Sequence, residues 1–143
     1  MRGSIKEIAN HLSKKYKTND PFVLKDYLKI KTYKWDFPKD TKGLYLYDKR
    51  QKFIFLNQSD CYDEQKITCG HEIGHSVIHT NVNYIFMKSH TLFNMNRFEK
   101  EANIFCVEFL IPDSRIQEYG NYTLQQIASA EKVPLELLKL KFI

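Results

Sequence analysis

Apolar and polar positions alternate with two different periods along the chain, and each period predicts a different kind of element. Apolar residues first recur at helical spacing, at Ile5, Ile8, Ala9, Leu12 and Tyr16. Ser4 and Glu7 fit a capping box at the start of this helix. Asp20 followed by Pro21 predicts a second, short helix that runs to about Leu28, because proline is favoured just after an N-cap.

A period of two follows, and it predicts strands. Tyr33, Trp35 and Phe37 alternate with polar residues, and residues 43–47 and 53–57 are two further strands joined by a polar turn. We expect a small three-stranded antiparallel sheet packed on the next helix, where a strand could hold an extended substrate. Residues 81–95 are interpreted as a connection that packs on the core, with a cleft lining or a lid as the alternative.

The helix after these strands contains the sequence His71-Glu72-Ile73-Gly74-His75, and Ser59 or Asp60 is its expected cap. Side chains four residues apart share one face of a helix, so the two histidines can converge on one Zn²⁺. Glu72 is too close in sequence to be a third ligand but is well placed to take a proton from a water at the metal. The motif predicts a zinc hydrolase, most simply a peptidase, although His pairs also occur on ordinary helices.

A catalytic zinc site needs a third protein ligand. One class of zinc peptidases takes its third ligand from a histidine that follows the motif at a fixed spacing. That class is excluded, because Ile78 and Asn81 stand where it requires Gly and His. A second helix, beginning after Asn96 and stopped by Pro112, supplies Glu99 on a mostly small or apolar face. Glu99 also fits a capping arrangement with Asn96, and the two roles are compatible.

Two residues are candidates to support the ligands. Asn103, one turn beyond Glu99, either hydrogen-bonds a ligating imidazole or makes an ordinary buried contact. His79 continues the series of histidines but lies about 12 Å along the helix from His71, so packing or support is predicted rather than ligation. Glu101 falls on a different face of its helix. Candidates for a second oxyanion donor are Tyr84, His90, Tyr119 and Tyr122.

The two helices together resemble a known family. Residues 67–79, ITCGHEIGHSVIH, are similar to the active-site helix of the ImmA/IrrE metallopeptidases, F/I-T-x-A/G-H-E-L/I-G-H followed by a further His. Residues 99–112 resemble the second signature of that family, E-x-x-A-N-x-F-A-x-x-L-L-x-P. Cys106 replaces the usual Ala and Phe109 a usual Leu, and neither change affects the chemistry.

The resemblance implies a compact, zincin-like α+β domain. It also implies that His71, His75 and Glu99 are zinc ligands and that Glu72 is the catalytic base. Members of the family act on a helix-turn-helix repressor, and cleavage or removal of that repressor induces a mobile element or a stress response. The resemblance therefore implies a protein partner of this kind.

Length and composition agree with one globular domain over residues 1–143. The chain is 43% hydrophobic, which excludes a disordered protein, and it has neither a membrane-spanning apolar run nor a signal-peptide pattern. Three cysteines without C-x-x-C spacing indicate a reduced, cytoplasmic protein.

The last part of the chain, residues 119–143, predicts a pair of helices that closes the core. The pair resembles the first half of a helix-turn-helix motif, and the net charge of +5 makes DNA binding conceivable. However, the second helix offers few polar side chains for reading bases, so direct DNA binding is not expected.

The motifs predict a zinc-dependent endopeptidase with one Zn²⁺ per chain, and the family resemblance implies that it cleaves a helix-turn-helix repressor. The alternative is a non-proteolytic zinc-binding module that binds such a regulator and modulates it.

Overall fold

Helices and strands are mixed along the chain: three strands precede the motif helix in sequence, and the fourth strand of the sheet follows it. The computed structural model describes residues 2–88 and 96–143. Within these ranges there are seven α-helices and four strands, which confirms the predicted α+β class. The elements are α1 (Arg2–Tyr16), α2 (Pro21–Tyr27), β1 (Lys31–Trp35), β2 (Thr41–Asp48), β3 (Gln51–Asn57), α3 (Tyr62–Ile78), β4 (Tyr84–Met87), α4 (Arg97–Leu110), α5 (Asp113–Glu118), α6 (Leu124–Glu131), α7 (Leu135–Lys139) and a 3₁₀ turn (Leu140–Phe142).

The predicted three-stranded antiparallel sheet is wrong in two respects. The sheet has four strands in the order β1-β3-β2-β4, and β1 pairs with β3 in parallel while the other two pairings are antiparallel. The fourth strand, β4, lies in the segment interpreted as a connection. Alternation identifies a strand but not its neighbours, and a four-residue apolar strand is too short to show a period.

Side-chain caps mark the starts of α2, α4 and α6. Asp20 caps α2 by accepting the N–H of Phe22, and Thr123 with Gln126 forms the predicted capping box of α6. The predicted box at Ser4 is wrong, because α1 already begins at Arg2. Neither predicted cap of α3 is used: Cys61 is its N-cap and makes no side-chain capping bond.

Close packing of α3 against α4 positions the motif. A Cβ atom added at Gly74 would lie 3.0 Å from the carbonyl oxygen of Ala102, and one at Gly70 would lie 2.8 Å from Sγ of Cys106. Both glycines therefore allow a close approach of the two helices. This approach brings the first turns of α4 alongside the motif histidines.

The C-terminal elements contribute to the same core. Ile127, Leu138 and Leu140 are at most 3% exposed and belong to the hydrophobic cluster that also contains residues of α1, α3 and α4. The buried ammonium of Lys141 pairs with the buried carboxylate of Glu108 on α4. Across residues 2–88 and 96–143, no helix combines the length and apolar character needed to span a membrane.

Candidate metal centre

The motif side chains of α3 meet the first turn of α4 inside the protein. His71, Glu72 and His75 are 0% exposed and Glu99 is 1% exposed. Nε2 of His75 lies 2.7 Å from Oε1 of Glu99, and Nε2 of His71 lies 3.3 Å from Oε2 of the same carboxylate. The structure thus brings the two histidines and the predicted third ligand around one point.

Asn103 orients the first imidazole. Its Oδ1 lies 2.6 Å from Nδ1 of His71, and a carbonyl oxygen can only accept, so the proton is on Nδ1. Nε2 is then the nitrogen that faces Glu99, and it is the nitrogen left to ligate a metal.

A chain of polar side chains orients the second imidazole. Nδ1 of His75 lies 2.9 Å from Nδ1 of His79, whose Nε2 lies 2.8 Å from Oε1 of Glu101. The Glu101 carboxylate accepts the Nε2 proton of a neutral His79, so His79 accepts from His75 through Nδ1. Arg97 donates through Nε to the other oxygen of Glu101 at 3.4 Å. The chain therefore leaves Nε2 of His75 directed towards Glu99.

Buried polar atoms without a hydrogen bond show whether a metal fits this site, because a metal ion would bind them. Within the described ranges, Nε2 of His71 and both carboxylate oxygens of Glu72 are buried without a hydrogen bond. Ligand atoms of His71, Glu72 and His75 lie within 4.8 Å of one another. Unpaired buried donors and acceptors are costly, so a cation at this point would satisfy them. The residues fit a divalent metal with nitrogen and oxygen ligands.

Burial and charge set the protonation of the carboxyl groups differently. Burial and the nearby Glu99 carboxylate raise the pKa of Glu72 well above its usual range. Burial alone would also raise the pKa of Glu99, but the two imidazoles that face it hold it below its usual range. Burial lowers the pKa of His75, against the opposing effect of Glu99. Glu99 is thus the anion of the site, and Glu72 is the group suited to exchange a proton.

Sequence reasoning missed several residues that surround the site. The ring of Phe86 on β4 stacks on the His71 imidazole at 3.7 Å, and the Tyr45 ring stacks near His75 at 6.4 Å. The hydroxyl of Tyr45 donates to the carbonyl of Thr80, so it packs against the site without aiming its hydroxyl into it. Glu101 was assigned to another face of α4 and left without a role. The contact of Phe86 depends on the pairing of β4 with β2, and the contact of Glu101 with His79 depends on the packing of α4 against α3.

Two of the predicted candidates for a second oxyanion donor, Tyr119 and Tyr122, lie away from the site, and the other two are not tested by the structure. His90 lies outside the described residues, as does the side chain of Tyr84. The phenol of Tyr119 donates to Glu131, and Tyr122 packs against Tyr119, in a cluster around α5 and α6 that contains none of the motif residues. A cavity of about 520 Å³ between the end of α1, the start of α3 and the α6–α7 turn also contains none of them.

Comparison with known proteins agrees with the geometry. The family model for the IrrE N-terminal-like domain, Peptidase M78, matches residues 25–142. The chain is 42% identical over 139 residues to uncharacterized immunity region protein 2 of Bacillus phage phi105, covering 96% of this chain and 88% of the relative. It is 24% identical over 134 residues to metallopeptidase ImmA of Bacillus subtilis (strain 168), covering 91% and 79%. The chain belongs to the ImmA/IrrE family of metallopeptidases.

Proposed function

We propose that the chain is a zinc-dependent endopeptidase of the cytoplasm, and that it cleaves a helix-turn-helix repressor to derepress phage, mobile-element or stress genes. The observation that carries the proposal is the convergence of His71, His75 and Glu99 on one buried point with Glu72 beside it. Membership of a metallopeptidase family implies a divalent metal and a protein substrate.

In the proposed site, His71, His75 and Glu99 hold one zinc ion per chain. Zinc supplies Lewis acidity, which lowers the pKa of a water and polarises the scissile carbonyl. Glu72 accepts a proton from the attacking water and delivers it to the leaving amide nitrogen. Burial raises the pKa of its carboxyl group, which strengthens it as a base.

Asn103 and His79 act by holding the imidazoles. Each keeps an Nε2 atom facing Glu99, so zinc binding needs no change of tautomer at His71. At His75, Nε2 lies 2.7 Å from Oε1 of Glu99, and a proton held between these two atoms would be released on metal binding. Glu101 and Arg97 extend this support from His79 to the surface of α4.

The proposed substrate rests on the relatives. The phage phi105 protein is named for an immunity region, and the Bacillus subtilis protein is named as a metallopeptidase. A peptidase that belongs to a phage immunity region is suited to remove the regulator of that region. A helix-turn-helix repressor is such a regulator, and its linker is an extended segment of the kind that a peptidase cleaves.

One observation favours the alternative of a non-proteolytic module. The four side chains of the site are buried in this arrangement, and the ring of Phe86 covers His71. A peptide reaches Glu72 only if the β4 side of the site opens. A protein that bound a regulator without cutting it would not need this opening.

The test is incubation of the zinc-loaded protein with the helix-turn-helix regulator encoded nearest to it, with fragments identified by mass spectrometry. Wild type should make a discrete cut that Glu72→Gln does not make, while both proteins bind one zinc by elemental analysis. Glu118→Gln, the same change at an exposed position, should cut like wild type. Intact regulator that forms a complex with wild type and Glu72→Gln alike would favour the non-proteolytic module.

A further inference from the structure

Lys42 on β2 lies beside the site and has no role in the mechanism above. Its ammonium nitrogen is 4.6 Å from the centroid of the Phe86 ring, and that ring stacks on His71 at 3.7 Å. The register of β2 with β4 shifts between Thr41 and Gly43, at the position of Lys42. The irregularity places the lysine side chain next to the aromatic ring that covers the motif.

The ammonium has no acidic partner. Among residues 2–88 and 96–143, the ammonium of Lys42 makes neither an ion pair nor a hydrogen bond, and its one ring contact is with Phe86. Residues 89–95 contain no Asp or Glu, so that segment cannot supply a carboxylate either. Among the described residues, the ammonium therefore has no carboxylate in direct contact with it.

The nearest influential acids are already engaged. Asp60 pairs with Lys88 at 3.1 Å, and Glu64 accepts a hydrogen bond from Cys61 at 3.1 Å. Burial lowers the pKa of Lys42, against the opposing fields of Glu64 and Asp60. A partly desolvated ammonium held only by a ring gains most from a carboxylate that comes from outside.

We propose that Lys42 forms a subsite that binds an acidic side chain of the substrate close to the scissile bond. The inference rests on the proposed peptidase function and adds the chemistry of the residue that the enzyme selects. An extended peptide advances about 3.4 Å per residue, so the contacts of 3.7 Å and 4.6 Å with the Phe86 ring put the ammonium within about three residues of His71. The incoming carboxylate replaces the contact with the Phe86 ring, which must move for a peptide to reach Glu72.

The subsite also explains how substrate binding could open the site. A cation–π contact contributes about 0.5–2 kcal/mol, and a charge-assisted pair in a partly buried position is stronger. A substrate with Asp or Glu at the right position thus offers Lys42 a better partner than Phe86. A substrate with a neutral side chain at that position offers Lys42 no better partner than Phe86.

The experiment profiles cleavage of a chymotryptic peptide mixture from a bacterial proteome by the zinc-loaded protein, with cut sites identified by mass spectrometry. Cuts that also occur with Glu72→Gln are subtracted as background. Wild type should show Asp and Glu enriched about tenfold at one position within three residues of the cut. Lys42→Gln should lose this enrichment, Lys42→Arg should keep it, and Lys42→Glu should favour Lys or Arg there instead.

The matched control is Lys34→Glu, the same charge reversal on β1, the edge strand farthest from β4, which should retain the wild-type preference. A second arm measures binding without turnover. In the Glu72→Gln background, the best peptide should bind about tenfold more tightly than its Asp→Asn or Glu→Gln analogue, and Lys42→Gln should remove the difference.

The outcomes distinguish the acidic subsite at Lys42 from the peptidase function. Cuts without acidic enrichment, or the same enrichment in Lys42→Glu, would overturn the subsite and leave the peptidase standing. An absence of any cut that depends on Glu72 would overturn the peptidase function and the subsite together.

Discussion

Glu72 is the side chain whose environment departs most from that of a free carboxyl group. It is completely buried, and neither of its oxygens has a hydrogen-bond partner within the described ranges. Ionising it in the metal-free protein is therefore costly, which is why its pKa lies above the usual range. Burial without a hydrogen bond suits a carboxyl group that transfers a proton, but it also reduces the stability of the metal-free fold.

Glu72→Gln should consequently stabilise the metal-free protein at pH 7, by on the order of 1–3 kcal/mol in the free energy of unfolding. The folded-state pKa lies above the unfolded value of 4.5, so the folded chain binds the extra proton between the two values. The wild type therefore loses stability as the pH rises above about 4.5. The advantage of the variant should be largest near neutral pH and should vanish towards pH 4.5. Urea unfolding in EDTA at a series of pH values measures it.

The exposed Glu118 provides the control for that experiment. Glu118→Gln should leave the unfolding free energy unchanged over the same pH range, because its carboxyl group is in water in both states. A variant Glu72→Gln that was less stable than wild type at pH 7 would contradict a costly buried carboxylate.

At the scale of elements, the contact between α3 and α4 determines the site. Ligand candidates come from both helices, so their separation depends on how closely the two axes approach. Gly70 and Gly74 face α4 where any larger side chain would collide. Cys106 fills the space opposite Gly70, and its Sγ is 2.8 Å from where a Cβ atom would be. Gly70 and Cys106 are therefore two small residues that fit against each other.

Gly70→Ala should therefore destabilise the protein by about 1–2 kcal/mol, because overpacking outweighs the gain in helix propensity. In a Cys106→Ala background the same change should be stabilising by about 1 kcal/mol, since Cβ of residue 106 lies at an ordinary 3.7 Å. Urea unfolding of the two single variants and the double variant measures the coupling.

Gly3 is the matched control, because nothing lies within 4 Å of a Cβ atom added there. Gly3→Ala should give the same small effect in the wild-type background and in the Cys106→Ala background. Equal effects of Gly70→Ala in both backgrounds would show that the sulfur does not limit the approach of the helices.

At the scale of the whole molecule, an ion pair connects the end of the chain to α4. The side chains of Lys141 and Glu108 are each 1% exposed, and Lys141 also pairs with Asp113 at 2.9 Å. α4 carries both Glu99 and Glu108, so the C-terminal turn is attached to the helix that completes the site. Burying two opposite charges together is tolerable, whereas burying one alone is not.

Lys141→Met should cost roughly 3–5 kcal/mol of unfolding free energy, because Glu108 would be left buried without a cation. The double variant Lys141→Met with Glu108→Met should recover most of that loss. Lys139→Met, at an exposed neighbouring position, should change little. Chemical denaturation of all four proteins measures this, and a double variant as unstable as Lys141→Met would contradict the buried charge as the cause.

The amino-acid sequence by itself determined the local features of this protein. Helical spacing brings His71 and His75 to one face, Asn96 caps α4, and Thr123 with Gln126 caps α6, because each of these depends on residues at most four positions apart. The two signatures also indicated the family. These features need no knowledge of what packs against them.

Only the tertiary structure decided the features that depend on contacts between distant parts of the chain. Sheet register, which residue alternation leaves open, decides the parallel pairing of β1 with β3 and the existence of β4. It also decides the stacking of Phe86 on His71 and the position of Lys42 over the Phe86 ring. The link from His79 to Glu101 likewise required α4 to lie against α3. Register and helix approach are set by the summed packing of the whole core, so no local pattern contains them.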